Sequence, residues 1–173
     1  MTAAYQTNVP SRMTRPDFTR VFGGVYEHSP WIAEQAFDKG LTKIHNNAEE
    51  LHFALATEVE EAVKERQLAL LCAHPDLAGK LAMRGELTEE STSEQASADL
   101  GNCTAEEYEA FQSLNDRYKE KFGFPFILAV RGYHRTEILE IFKQRVDNDA
   151  EIEFDEALTQ IHRIARLRLN EIE

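Results

Sequence analysis

His74 is the residue of this chain whose type and setting best suit acid–base chemistry. It closes the apolar run Leu71-Cys72-Ala73 and is followed by Pro75-Asp76-Leu77-Ala78-Gly79-Lys80. Proline lacks a backbone N–H and biases the residue before it away from helical dihedrals, so a helix that reaches His74 must stop there. Its ring then projects from a stiff backbone near the negative end of the helix macrodipole, a mount for an acid, a base or an anion contact. A histidine that caps the last carbonyls fits the same pattern, and local sequence leaves both readings open. Arg168 is the second such residue. The last helical stripe, Ala157, Ile161, Ile164 and Ala165, reaches Arg168 when continued by four from Ile164, whereas Arg163 and Arg166 point elsewhere and are expected in solvent. A guanidinium on a buried stripe must snorkel to the surface or meet an anion.

A backbone site is the third possibility. Phe124-Pro125-Phe126-Ile127-Leu128-Ala129-Val130 is the most apolar run in the chain. No other segment reads as β, so a strand here would lack a partner. An irregular turn over Phe124 to Phe126, running into a short buried helical segment, is expected instead. The N–H groups of Phe126 to Leu128 would then lack intrahelical partners and could hold a carbonyl or an anion.

The elements that must carry these groups read as helices. The 173 residues, 42% hydrophobic and 29% charged with few glycines and prolines, suit one all-α domain with a substantial core. About eight helices with irregular turns are expected over residues 14–173, preceded by a flexible arm at 1–13. Thr14-Arg15-Pro16-Asp17 opens the first helix; Ser29 and Pro30 open the second, which Gly40 closes. Asn46-Asn47 cap a helix from Ala48 to about Glu65 with Leu51, Leu55, Val59 and Ala62 on its stripe. Asp76 to Glu90 reads as a loop with at most one helical turn. Ser91-Thr92-Ser93-Glu94 reads as a capping box in which Glu94 reaches back to the Ser91 N–H, with Gly101 as the left-handed end of that helix. Thr104 to Glu107 is a second box, opening a helix with Tyr108, Phe111, Leu114 and Tyr118 on one face that Gly123 ends. Thr136 and about Glu151 open the last two.

Several function classes are disfavoured. The net charge of -12, with basic residues interspersed among acidic ones, offers no basic face for nucleic acid. No apolar stretch approaches the roughly 18 residues of a membrane span, and the polar start lacks a signal-peptide core, so a cytoplasmic protein is expected. Cys72 and Cys103 read as reduced thiols. His45, His52 and His162 have neither His-x-x-x-His nor comparable ligand spacing, which argues against a metal hydrolase.

Four blocks, in order, carry a resemblance. His74-Pro75-Asp76-Leu77, Leu87-Thr88 with Ser91, Glu94 and Gln95, Phe122-Gly123-Phe124-Pro125-Phe126, and Ile164-Ala165-x-Leu167-Arg168-Leu169 resemble the OHCU decarboxylase family, with Ser29-Pro30-Trp31 similar to its early Ser-Pro-Trp. That family acts on 2-oxo-4-hydroxy-4-carboxy-5-ureidoimidazoline (OHCU) in uric acid degradation. The resemblance implies an all-helical, cofactor-free enzyme without a metal, commonly a homodimer, that releases CO2 and forms (S)-allantoin. Carried over by position, it implies His74, Glu94 and Arg168 as catalytic. It implies Pro75, Ser91, Gln95 and the backbone segment Phe124, Phe126, Ile127 and Leu128 as substrate-binding. Ala98-Asp99-Leu100 stands where the family more often has Ala-Gly-Leu. The rival reading is a helical protein-interaction domain, which predicts no small-molecule pocket and leaves Arg168 on its apolar stripe unexplained.

Overall fold

A computed structural model describes residues 2–79 and 85–173. Among the described residues the regular structure is eight α-helices and three short 3-10 turns, with a lone bridge between Ala4 and Asn47 and no strand. The helices are α1 (Arg15–Phe22), α2 (Trp31–Asp38), α3 (Ala48–Glu60), α4 (Lys64–Cys72), α5 (Glu89–Ser97), α6 (Ala105–Phe122), α7 (Arg135–Arg145) and α8 (Ala150–Glu171). None is long and apolar enough among the described residues to cross a membrane. They fall into two compact units, one made of the chain up to Ala73 with Ile161–Glu173, the other of His74–Gln160.

In the first unit α1 packs on α2 and α2 on α3. Phe18, Phe22, Ile32, Leu51, Leu55 and Val59 are essentially inaccessible to solvent, and burying each such side chain contributes roughly 1.5–3 kcal/mol. Thr14 caps α1 by accepting the Asp17 N–H, and Asn47 caps α3 by accepting that of Glu50. The helix expected to run to Glu65 stops at Glu60, and α4 begins afresh after Val63. Ser29 does not cap α2, because its hydroxyl donates to the Glu27 carbonyl. The expected loose arm is tied down instead. Tyr5 is buried, its hydroxyl donates to the Leu169 carbonyl at 2.9 Å, and the Asn8 N–H donates to Glu173 O.

The second unit is built on α6 and α7, whose apolar faces bring together Phe111, Tyr118, Ile138 and Phe142. Thr104 and Glu107 form the expected capping box, and Gly123 takes the expected left-handed conformation at φ +79°. Two ends differ from the sequence reading. His134, not Thr136, precedes α7, and Asp99, not Gly101, is the left-handed residue after α5, at φ +61°. Asp99 accepts hydrogen bonds from Asn102 and Arg135, which offsets the strain of a side chain in that region.

Candidate active site

α4 ends at Cys72, and the Ala73 N–H closes its last turn on the Ala69 and Leu70 carbonyls. His74 follows immediately and is buried, 8% exposed. The helix stops where Pro75 requires it to, and the imidazole sits at the helix end. The next residues form a tight loop held by side chains from two helices. Ala78 adopts φ +50°, unusual for a residue with a Cβ, and its N–H donates to Gln95 Oε1 at 3.1 Å. Gln95 Nε2 donates back to the Asp76 carbonyl at 3.3 Å. From α6, Gln112 donates to Ala78 O, Asn115 to Leu77 O, and Lys119 pairs with Asp76 at 2.7 Å. At Gly79 a Cβ would stand 2.7 Å from that of Asp76, so the turn closes only on glycine. Lys80 lies outside the described residues.

The helix that holds this loop is capped differently from expectation. Thr88, not Ser91, is the N-cap of α5, and its hydroxyl accepts the Ser91 N–H at 3.2 Å. Ser91 therefore lies inside the first turn, and Glu94 sits one turn further on, where no N-cap N–H exists for it to reach back to. The capping role expected for Glu94 is removed. Ser91 and Gln95, four residues apart, form the buried face of α5, while Glu94 is half-buried beside them. Gln95 spends both ends of its amide on the loop that carries His74, so α5 and the histidine loop are fastened together through one side chain. A cavity of about 410 Å³ lies by Gln95, with Ala78, Ala96, Leu100, Cys103 and Tyr108 in its lining.

Phe124 to Val130 is not helical at any point, contrary to the short helical segment expected there. Phe124, Phe126, Ile127 and Leu128 are all buried. Two distant side chains take the backbone groups that a helix would have paired internally: Arg145 Nη1 donates to the Ile127 carbonyl at 2.7 Å, and Gln160 Oε1 accepts the Ala129 N–H at 3.1 Å. Arg145 is held by Glu153, which is wholly buried and also accepts from Tyr118 and Asn148. Burial pushes the Glu153 carboxyl up, but the hydrogen bonds from Arg145 and Tyr118 outweigh it and leave the group below its ordinary range. The Tyr118 hydroxyl is pushed up, first by burial and then by that carboxylate.

Arg168 belongs to the first unit. It is buried, 3% exposed, as its place on the α8 stripe requires, and its anion is Glu27, with Nη1 2.8 Å from Glu27 Oε2 and 3.1 Å from the Gly24 carbonyl. Glu27 was not legible in the sequence, since Tyr26-Glu27-His28 lies between helices with no periodic pattern to mark it. Arg163 is exposed and Arg166 half-buried. The histidines set aside as metal ligands have other partners. His162 Nδ1 meets the Tyr26 hydroxyl and its Nε2 meets Glu60, both at 2.7 Å; His52 Nε2 meets the His162 carbonyl; His45 Nδ1 accepts the Thr42 N–H. Among the described residues no three His, Cys, Asp or Glu side chains converge as a metal site would need.

The described residues are helical, bury an imidazole just past a helix end and fix its loop through side-chain amides. The OHCU decarboxylase family profile matches residues 11–170, and the 2-oxo-4-hydroxy-4-carboxy-5-ureidoimidazoline decarboxylase of Haloferax volcanii is 43% identical over 161 residues, 93% of this chain and 92% of that protein. The chain belongs to the OHCU decarboxylase family. The protein of the same name from Halalkalicoccus jeotgali is 41% identical over 155 residues, 90% of this chain and 84% of that one. A solved structure, the crystal structure of (S)-allantoin synthase, is similar with a TM-score of 0.76 at 32% identity; it covers 95% of this chain, which spans 52% of that longer one.

Proposed function

We propose that this chain decarboxylates OHCU to (S)-allantoin and CO2, with His74 as the proton relay. The observation that carries this reading is the burial of His74 at the end of α4, on a loop that Gln95 fastens to the helix bearing Ser91 and Glu94. Family membership over nearly the whole chain makes it a carboxy-lyase and supplies the substrate.

The reaction breaks the bond between a ring carbon and its carboxylate. CO2 leaves, the electron pair passes into the unsaturated ring, and a proton then adds to carbon from one face. No organic cofactor is needed, because the ring itself accepts the charge, and no metal is invoked. Donors fixed in advance in a water-poor site stabilise such charge at no cost of reorganisation during the reaction. The backbone N–H groups of the Phe124 to Leu128 segment take that role in this reading. Arg168 takes a similar one, assigned from the family's closing motif. His74 delivers the proton because an imidazole titrates near working pH. Glu94 orients the imidazole or accepts from the ureido N–H groups, and Pro75 and Ser91 line the substrate. Gln95 holds the loop that carries His74 and, because its amide can make further hydrogen bonds, also binds the substrate.

The two compact units form one catalytic domain in this proposal, which the family profile spans. The protein works in the cytoplasm as a homodimer, with neither nucleic acid nor membrane as partner. Sedimentation of the purified protein tests the dimer. Release of CO2 from OHCU generated in situ tests the reaction. Turnover by the wild type that is lost in His74→Asn is expected, and a folded His74→Asn variant with normal turnover would remove the histidine from the mechanism.

A further inference from the structure

The segment Phe124 to Val130 presents backbone to a ligand only if something stops its peptide groups from rotating. A polar network of the buried Arg145, Glu153 and Tyr118, with the half-buried Asn148, is joined to it. Arg145, 7% exposed, donates through Nη1 to the Ile127 carbonyl at 2.7 Å. Its Nε lies 3.1 Å from Glu153 Oε1 and its Nη2 2.9 Å from Oε2, so the guanidinium is gripped along one edge by a carboxylate. Tyr118 and Asn148 bind the same carboxylate, one at each oxygen. The guanidinium carbon also stands 4.5 Å above the Phe126 ring, which is stacked on Phe142 with centroids 3.9 Å apart and meets Tyr118 edge-on. Arg145 therefore has one orientation, and Ile127 O is fixed by it.

The direction of the next group follows from covalent geometry. All peptide bonds among the described residues are trans, and in a trans peptide the N–H points opposite to the preceding C=O. Ile127 O aimed at Arg145 therefore turns the Leu128 N–H away from it. One peptide later the Ala129 N–H is aimed at Gln160 Oε1, which turns the Leu128 C=O away from Gln160. Leu128 is left holding a donor and an acceptor in orientations that two side chains impose. A ureide or cyclic amide carries the complementary acceptor and donor.

We infer that Arg145, locked by Glu153, and Gln160 are positioning residues that set the Leu128 N–H and C=O for a ureide substrate. The inference rests on the proposed function for the identity of the substrate. It does not rest on the ion pair as a source of stability. Replacing a buried ion pair by apolar side chains of similar size is often neutral or stabilising, so an Arg–Glu pair with two further polar partners is poorly explained as mere glue.

That property supplies the test. The double variant R145M/E153L, made in the full chain, is measured for thermal midpoint, for kcat and KM on OHCU generated in situ, and for amide hydrogen exchange at Leu128 and Ala129. The midpoint is expected to stay within a few degrees of the wild type, kcat/KM to fall at least tenfold, and Leu128 exchange to quicken. Gln160→Leu serves as the second variant should the double variant not fold. It removes the Ala129 acceptor, along with the bond the same amide donates to Glu156 on the helix, and is expected to quicken exchange at Ala129 with a severalfold loss in kcat/KM. A folded variant with wild-type exchange and kcat/KM within twofold of the wild type would overturn the inference. A wild type that neither turns over OHCU nor binds (S)-allantoin would instead overturn the proposed function, and the exchange rates would still decide whether these side chains fix the peptide groups.

Discussion

Replacing Gln95 by leucine is expected to loosen the loop that carries His74 and to lower activity without touching a reacting atom. The amide makes two bonds to that loop, from the Ala78 N–H at 3.1 Å and to the Asp76 carbonyl at 3.3 Å, and Gln95 is 7% exposed. Asp76 is half-exposed and water can replace its bond. Ala78 is buried, so its N–H is left without an acceptor, at a cost of about 1–3 kcal/mol. Ala78 also holds φ +50°, a conformation that costs roughly 1–2 kcal/mol in a residue with a Cβ and persists only while the loop is pinned. Relaxation of that strain offsets part of the loss. For a chain of this size each kcal/mol shifts the midpoint by about 2–4 °C, so a fall on the order of 2–10 °C is expected. Gln95→Glu keeps an acceptor for Ala78 and should fall less. Thermal unfolding by circular dichroism, with hydrogen exchange at the Ala78 amide, measures both effects. A leucine variant with the wild-type midpoint and wild-type protection at Ala78 would refute the claim that Gln95 holds the loop.

Four further outcomes follow from the same geometry. Glu27→Ala leaves the buried Arg168 guanidinium without its carboxylate and should cost about 3–5 kcal/mol in urea unfolding, while Glu27→Gln should cost less. Because the Glu153 carboxyl titrates below its ordinary range in the folded protein, its contribution is fully present above the unfolded value of about 4.3 and is lost as pH falls through the folded value. The urea midpoint should therefore drop more steeply below about pH 4.3 in the wild type than in R145M/E153L. Thr88→Ala removes the N-cap of α5 and should cost about 1 kcal/mol, whereas Glu94→Gln should slow turnover tenfold or more. A Glu94→Gln variant of full activity would take the carboxylate out of the mechanism.

Much of the fold was legible because the deciding forces are local. Thr104 with Glu107, and Gly123 at the far end, define α6 through contacts within a turn of each other, and the stripe of α8 carried Arg168 inward as its spacing required. The ends of α5 were not legible. Thr88 and Ser91 are both competent caps three residues apart, and the helix begins at the earlier one, with Ser91 and Gln95 on its buried face and Gln95 fastened to the histidine loop. The left-handed residue after α5 was misplaced for a similar reason. Arg135, 36 residues away in sequence, binds Asp99 in a conformation that local preference would give to glycine. After the expected turn at Phe124 to Phe126, a short helical segment is the natural reading because a strand would lack a partner. Residues 124–130 stay irregular because Arg145 and Gln160 take the Ile127 carbonyl and the Ala129 N–H. The two buried acids Glu27 and Glu153 sit in stretches whose pattern gives no sign of the arginines they meet.

The most direct test of the account follows the circular dichroism of the product while urate is converted by urate oxidase and hydroxyisourate hydrolase, with and without this protein. A rapid rise of optically active (S)-allantoin with the wild type, absent with a folded His74→Asn variant, is the expected result. Slow formation of racemic allantoin at the same rate with and without the wild type would contradict both the substrate and the role of His74.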